Sequence, residues 1–166
     1  MPTAKSAIIL SIMAIIAAAF NIINASVCKI CHNHRVVFLK NASIITFVSL
    51  LIICLCLIFN IRTSLIAVIF FVLAGNASLT SLLVPVLHLT NRKMVSGTAV
   101  SIMNFCFFTM VGLLGTAMGF LLNLFEPQKV GEVLVYTNKS YLAVFGLFFL
   151  ISVFELYKAM KLSNKY

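Results

Sequence analysis

Long apolar stretches make up most of the chain, and short polar or charged segments separate them. A helix rises about 1.5 Å per residue, so about 20 apolar residues cross a hydrocarbon core about 30 Å thick. The pattern predicts an all-α integral membrane protein, a helix bundle forming a single membrane domain over residues 1–166. Its five predicted transmembrane spans are Ala7 to Val27, Ser43 to Ile61, Ser64 to Leu89, Thr98 to Phe125 and Tyr141 to Tyr157.

The second and third predicted spans are separated by only Arg62 and Thr63, with Asn60 just before them. A connection this short forces consecutive helices to run antiparallel as neighbours. We therefore expect these two helices to pack against each other as a hairpin.

Composition supports lipid as the solvent, because 63% of the residues are hydrophobic and only 9% are charged. Twelve Lys and Arg residues against three acids give a net charge of +9. The basic residues lie between apolar segments, which favours membrane topology over nucleic-acid binding. The first loop, the third loop and the C-terminal tail, which share one side of the membrane, hold eight of the Lys and Arg residues, and the segments on the other side hold four. This bias predicts a multi-pass protein of the cell inner (plasma) membrane with a cytoplasmic C-terminus and an external N-terminus.

The first apolar stretch has an alternative interpretation. Lys5 followed by Ala7 to Phe20 is also typical of a signal peptide, with a small-residue cleavage site at Asn24-Ala-Ser26. Cleavage would leave four spans. The stretch is longer than usual for a signal peptide and contains Asn21 and Asn24, which favours a transmembrane helix.

Two short motifs suggest chemistry that their context disfavours. Cys28-Lys-Ile-Cys31-His32 has the spacing of covalent c-type haem attachment, with His34 nearby as a further metal ligand. Haem attachment takes place outside the cytoplasm, whereas the charge bias puts this loop inside. Of four Asn-x-Ser sequons, only the one at Asn138 is placed for glycosylation. We expect no metal and no cofactor.

Residue patterns of catalytic sites are missing from the sequence. There is no carboxylate pair, no nucleophile with a base and no phosphate-binding glycine loop. We expect no catalytic residue, no enzyme activity and no acidic side chain inside the membrane.

Polar side chains are distributed unevenly among the predicted spans. Because such groups are costly in hydrocarbon, they usually face another helix or a watery cavity. The first, third and fourth spans carry most of them, so we expect these three to line an interior and the second and fifth to face lipid. The candidates for a substrate pathway are Asn21, Asn24, Asn76, Asn104 and Thr109.

The fourth span carries small and polar residues at helical spacings of three and four: Ser101, Asn104, Phe108, Gly112, Gly115, Thr116, Gly119 and Asn123. Gly115 and Gly119 form a GxxxG pair, and with Gly112 they let another helix approach closely. Pro85 lacks an N–H and predicts a kink in the third span. These four residues are the candidates for helix packing.

The stretch PVLHLTNRKMVSGTAVSIMN at 85–104, with the glycines that follow, resembles the tenth-to-eleventh helix region of major facilitator superfamily permeases. The likeness is greatest to proton-coupled drug-efflux members. The matching positions are Gly97, Thr98, Ala99, Asn104, Gly112, Gly115 and Gly119.

The resemblance implies a partial major-facilitator-type helix bundle, whose five spans are similar to helices eight to twelve of such a permease. Helices eight, ten and eleven border its central cavity, which agrees with the interior predicted from polarity. A permease has twelve helices in two halves with substrate between them. The implied function is transport of a small solute or drug by a truncated or split permease, inactive unless an N-terminal half or another copy completes it. The alternative is a small non-transporting scaffold or regulatory subunit.

Overall fold

The computed structural model describes residues 3–30, 35–61, 63–77, 83–125, 128–130 and 133–161. Within these residues the chain forms six α-helices and one two-stranded antiparallel hairpin. The elements are α1 (Thr3–Ile30), α2 (Arg35–Ile58), α3 (Thr63–Ala77), α4 (Leu83–Thr90), α5 (Lys93–Asn123), β1 (Gln128–Val130), β2 (Val133–Val135) and α6 (Asn138–Met160). The helical architecture expected from the apolar pattern is confirmed, and the hairpin between α5 and α6 is an element that the pattern did not predict.

Three helices in the described part of the chain are long and apolar enough to cross a membrane. They cover Val36–Ile58, Lys93–Asn123 and Asn138–Met160. Ser11–Asn24 and Ser64–Ala77 are shorter apolar helical segments. The predicted third span runs over α3, residues 78–82, which lie outside the described residues, and α4. These lengths and compositions are compatible with a multi-pass membrane protein.

The packed centre of the molecule is the antiparallel pair α2 and α6. Side chains of the two helices meet at Ser43 and Glu155 and at Phe47 and Phe149, whose ring centroids are 5.2 Å apart. Ile53 is fully buried in α2, and Ser140 and Ser152 are buried in α6. Among the described helices, α5 has no buried residue. Within the described residues the interior is therefore formed by α2 and α6 and not by α5, whereas Val48 and Leu150 leave an exposed apolar face on both helices, so lipid exposure of the second and fifth spans stays a prediction.

Small serine side chains explain why polarity failed to identify the central pair. Ser152 Oγ, for example, donates to the Phe149 carbonyl at 2.7 Å. A serine that bonds its own helix backbone needs no other polar partner, so it can lie in a helix contact. Its small volume also lets the helices approach. Apolar helices with a few serines can therefore form the core.

The turn after α2 is built around a left-handed residue. Asn60 has φ 52°, a conformation that asparagine adopts more readily than most residues. The Ile61 N–H donates to the Cys56 carbonyl at 2.9 Å, which is the six-to-one bond of a Schellman helix end. α3 then runs back along α2, and Asn76 near its end contacts Ala42 near the start of α2. The predicted hairpin of the second and third spans is confirmed.

A side-chain contact joins this turn to the start of α6. Asn138 Nδ2 donates to Asn60 Oδ1. At the same end, the Thr137 side chain accepts from the Ser140 N–H and caps α6. The β1–β2 hairpin precedes this cap, with Lys129 paired to Leu134. One end of the α2–α6 pair is thus formed by turn residues, and the opposite end holds the polar site described next.

Candidate functional site

A cavity of about 560 Å³ lies between the start of α2 and the ends of α3 and α6. Most of its wall is apolar, but polar side chains project from all three helices. Ser43 and Thr46 come from α2, Asn76 from α3, and Glu155 and Lys158 from α6. Because Ser43 and Thr46 are three residues apart, they share one face of α2.

Asn76 joins α3 to α2 on one side of this cavity. Its Nδ2 donates to the Ala42 carbonyl at 2.8 Å and to Thr46 Oγ1 at 2.7 Å. The Ala42 carbonyl can only accept, so the amide nitrogen must point toward it. The amide oxygen Oδ1 is then buried and has no hydrogen-bond partner in the described part of the chain. A buried acceptor without a donor costs about 1–3 kcal/mol, and because Oδ1 is closed off from solvent, this cost belongs to the packing of α3 on α2.

Glu155 joins α6 to α2 on the other side. Its Oε1 accepts from Ser43 Oγ at 3.0 Å. The residue lies inside the predicted fifth span, so the expectation that no acid occurs within a span is wrong. Its position near the C-terminal end of α6, which closes at Met160, explains how the charge is tolerated. A side chain close to a helix end can keep its charged head near the polar headgroups.

The predicted pathway residues are dispersed in the structure. Asn76 belongs to the main cavity, and Asn24 lines a neighbouring cavity of about 260 Å³ together with Asn76. Asn21 is exposed on α1, and Asn104 and Thr109 are exposed on α5. The structure therefore brings two of the five together.

The helix-packing candidates on α5 form an open face. A side-chain carbon built on Gly112, Gly115 or Gly119 meets no atom within 4 Å. None of the described elements contacts this face, so a close approach by another helix stays a prediction. Pro85 lies in the short helix α4, where it is half-buried. Gly75, which was not a candidate, is the glycine in close contact, since a Cβ there would lie 3.3 Å from the Phe20 ring.

Ser43, Thr46, Glu155 and Lys158 are site residues that the sequence reasoning missed. For Glu155 a signal was present, because a single acid within an apolar span indicates a functional position. The two hydroxyl residues gave no comparable signal. Their role depends on which helix lies beside them, and their partners are distant in the sequence.

Metal-site candidates are not found in the described residues, where no group of three His, Cys, Asp or Glu could hold an ion. Residues 31–34 lie outside the described residues. They include Cys31 and His32 of the predicted Cys28-Cys31-His32 motif and the nearby His34. Comparisons with protein-family models, with curated proteins and with solved structures give no match. Function is therefore inferred from the residues and their arrangement.

Proposed function

We propose that this chain is an integral multi-pass membrane protein that contributes helices to a major-facilitator-type permease for a small solute or drug. Its five spans correspond to helices eight to twelve, its C-terminus is cytoplasmic, and a second polypeptide or another copy supplies the remaining helices. The observation that carries the proposal is the open face of α5, a 31-residue apolar helix with no buried residue.

The polar groups on α5 differ in how they are satisfied. Ser101 Oγ donates to the Gly97 carbonyl and Thr116 Oγ1 to the Gly112 carbonyl, both at 3.0 Å, so these hydroxyls need no outside partner. The Asn104 side chain is exposed and makes no hydrogen bond with the described residues. An amide facing hydrocarbon costs several kcal/mol unless it finds a partner or water. Asn104 therefore favours a second helix or a watery pathway beside α5.

The open glycines add a steric reason for the same partner. Gly112, Gly115 and Gly119 leave the backbone of α5 uncovered over two turns, and such surfaces favour close helix contact in lipid. In a permease, two halves move against each other around a central substrate. A smooth, partly polar face at the contact between the halves suits that movement.

The second candidate is a non-transporting membrane scaffold, and the same face supports it. A partner helix lying on α5 would satisfy Asn104 and cover the glycines without any solute pathway. The two functions differ in one measurable property, since only the permease moves solute across the bilayer.

The first experiment tests the membrane placement. Alkaline carbonate extraction of membranes should leave the chain in the pellet. Single cysteines introduced at Asn60 and at Lys161, in a background without the native cysteines, should be labelled from opposite sides. Labelling of Lys161 from the cytoplasmic side supports the proposed topology. Extraction into the supernatant, or labelling of both positions from one side, contradicts it.

The second experiment tests transport. Proteoliposomes are prepared with the chain alone and with a partner of the same family, such as seven helices encoded by an adjacent reading frame. We expect solute flux only when the remaining helices are present. Gly115→Leu should abolish it by blocking the α5 contact, whereas Leu113→Phe on the opposite face should not. Stable partner binding without flux supports the scaffold, and absence of both contradicts the proposed function.

A further inference from the structure

We infer that the cavity between α2, α3 and α6 binds the headgroup of an aminophospholipid. Glu155 and the hydroxyl oxygens of Ser43 and Thr46 receive its primary ammonium, and Lys158 pairs with its phosphate. This inference rests on the membrane placement proposed above and is independent of whether the chain transports anything.

The acceptors in the cavity suit an ammonium group. Glu155 supplies a carboxylate, whose Oε1 accepts from Ser43 Oγ at 3.0 Å. Ser43 and Thr46 line the same cavity from one face of α2, and each hydroxyl oxygen has lone pairs that can accept. A primary ammonium has three N–H donors and needs several acceptors at once. A trimethylated ammonium has no N–H and cannot use them.

The charge beside the carboxylate suits a phosphate. Lys158 lies one helical turn after Glu155 and lines the same cavity. Its Nζ lies 5.2 Å from the centroid of the Phe154 ring, a contact with an aromatic face that leaves the ammonium available for an anion. Ethanolamine phosphate carries its two opposite charges a short linker apart. The alternation of charge on α6 therefore matches a zwitterionic headgroup better than a free amine, which Lys158 would repel.

The depth and the rim of the cavity fit a lipid. Glu155 precedes the end of α6 at Met160 by five residues, or about 8 Å of helix. That distance places the charges near the boundary between hydrocarbon and headgroups in a bilayer. Ile151 and Phe154 line the same cavity and are 39% and 62% exposed, so they offer an apolar surface to an acyl chain.

The test compares lipids that differ only in the headgroup. Binding of dioleoyl phosphatidylethanolamine, its N-monomethyl and N-dimethyl derivatives and dioleoyl phosphatidylcholine to the purified chain is measured by native mass spectrometry. Loss of charge-assisted hydrogen bonds should weaken binding about tenfold from the ethanolamine to the choline lipid. Equal binding of the two lipids overturns the inference.

Variants then assign the preference to the cavity. Glu155→Gln should remove the preference for ethanolamine over choline, because it replaces a charged acceptor with a neutral amide. Lys158→Gln should weaken binding of both phospholipids, whereas Lys161→Gln serves as the matched control. Lys161 packs on Tyr157 as Lys158 packs on Phe154, but it does not line the cavity. Equal effects of the two lysine variants would indicate nonspecific surface charge and overturn the inference.

Two further measurements keep the result decisive. Dodecylamine, which has an ammonium and an apolar chain but no phosphate, should compete poorly, and competition as strong as that of the phospholipid overturns the assignment. If Glu155→Gln fails to fold by circular dichroism, Ser43→Ala replaces it and should reduce the same lipid ratio. A chain that resists carbonate extraction but shows no lipid preference refutes this inference alone, whereas an extractable chain refutes the membrane placement as well.

Discussion

The hydrogen bonds of Asn76 give a prediction whose magnitude can be worked from the structure. Its amide bonds the Ala42 carbonyl and Thr46 Oγ1 across the α2–α3 contact. Hydrogen bonds between helices in membranes average about 0.6 kcal/mol and reach about 1.7 kcal/mol. Asn76→Ala loses two of them, roughly 1.2 kcal/mol, but it also removes the unpartnered Oδ1, which cost about 1–3 kcal/mol. The two effects oppose each other, so the single substitution alone measures little.

A double-mutant cycle separates them. The free energy of unfolding is measured for Asn76→Ala, for Thr46→Val and for both together. The desolvation of Oδ1 cancels in the cycle, so the remaining coupling energy reports the Asn76–Thr46 bond. We expect about 0.6–1.7 kcal/mol in the stabilising direction. The bond length of 2.7 Å places the expectation in the upper part of that range.

The assay is unfolding in mixed micelles with increasing SDS, followed by far-ultraviolet circular dichroism. Tryptophan fluorescence does not apply, because the chain contains no Trp. The control cycle pairs Thr46→Val with Asn104→Ala, since Asn104 is exposed on α5 and does not contact Thr46. The control coupling should stay within about 0.3–0.5 kcal/mol, as expected for independent sites. An Asn76–Thr46 coupling no larger than the control refutes the bond and the α2–α3 packing derived from it.

Three further predictions test other parts of the fold by the same unfolding assay. Ile53→Ala should cost about 2 kcal/mol or more because Ile53 is 0% exposed, while Ile52→Ala, at 38% exposed, should cost less, and equal costs would contradict the α2–α6 core. Gly115→Leu should change the stability of the isolated chain by less than about 0.5 kcal/mol, since no atom lies within 4 Å, and a larger loss would mean that the face is covered. Asn60→Val should cost about 1–2 kcal/mol through its φ of 52°, and Asn60→Gly should cost less. A larger loss of stability for Asn60→Gly than for Asn60→Val would argue against the left-handed turn.

Local patterns in the sequence predicted those features that depend on neighbours along the chain. The apolar run of α2 gives a helix because backbone groups without water must bond within the segment. The short connection at Asn60 gives the α2–α3 hairpin because it leaves no room for another arrangement. Each conclusion needs only the sequence within a few residues of the element.

Features that depend on distant residues were missed. Polarity alone suggested that α6 faces lipid, yet Ser140 and Ser152 are buried against α2 because serine is small and bonds its own helix. The contact of Glu155 with Ser43 could not be predicted, because the two residues are 112 positions apart in the sequence. The sequence does contain a signal for the β1–β2 hairpin, since Gly131 and Glu132 lie between Val130 and Val133, and Gly-X is typical of a two-residue hairpin turn. The segment lies between the fourth and fifth predicted spans, where the apolar pattern indicates only a connection.

The bond between Ser43 and Glu155 joins residues that are 112 positions apart. Two helices that depend on each other at such a separation must wait until the intervening chain has been synthesised and inserted, and contacts of this kind slow folding. During that interval Ser43 on α2 lacks the Glu155 partner that it has in the folded chain. A substitution at Glu155, near the C-terminal end of α6, should therefore impair the packing of α2, although α2 is synthesised much earlier.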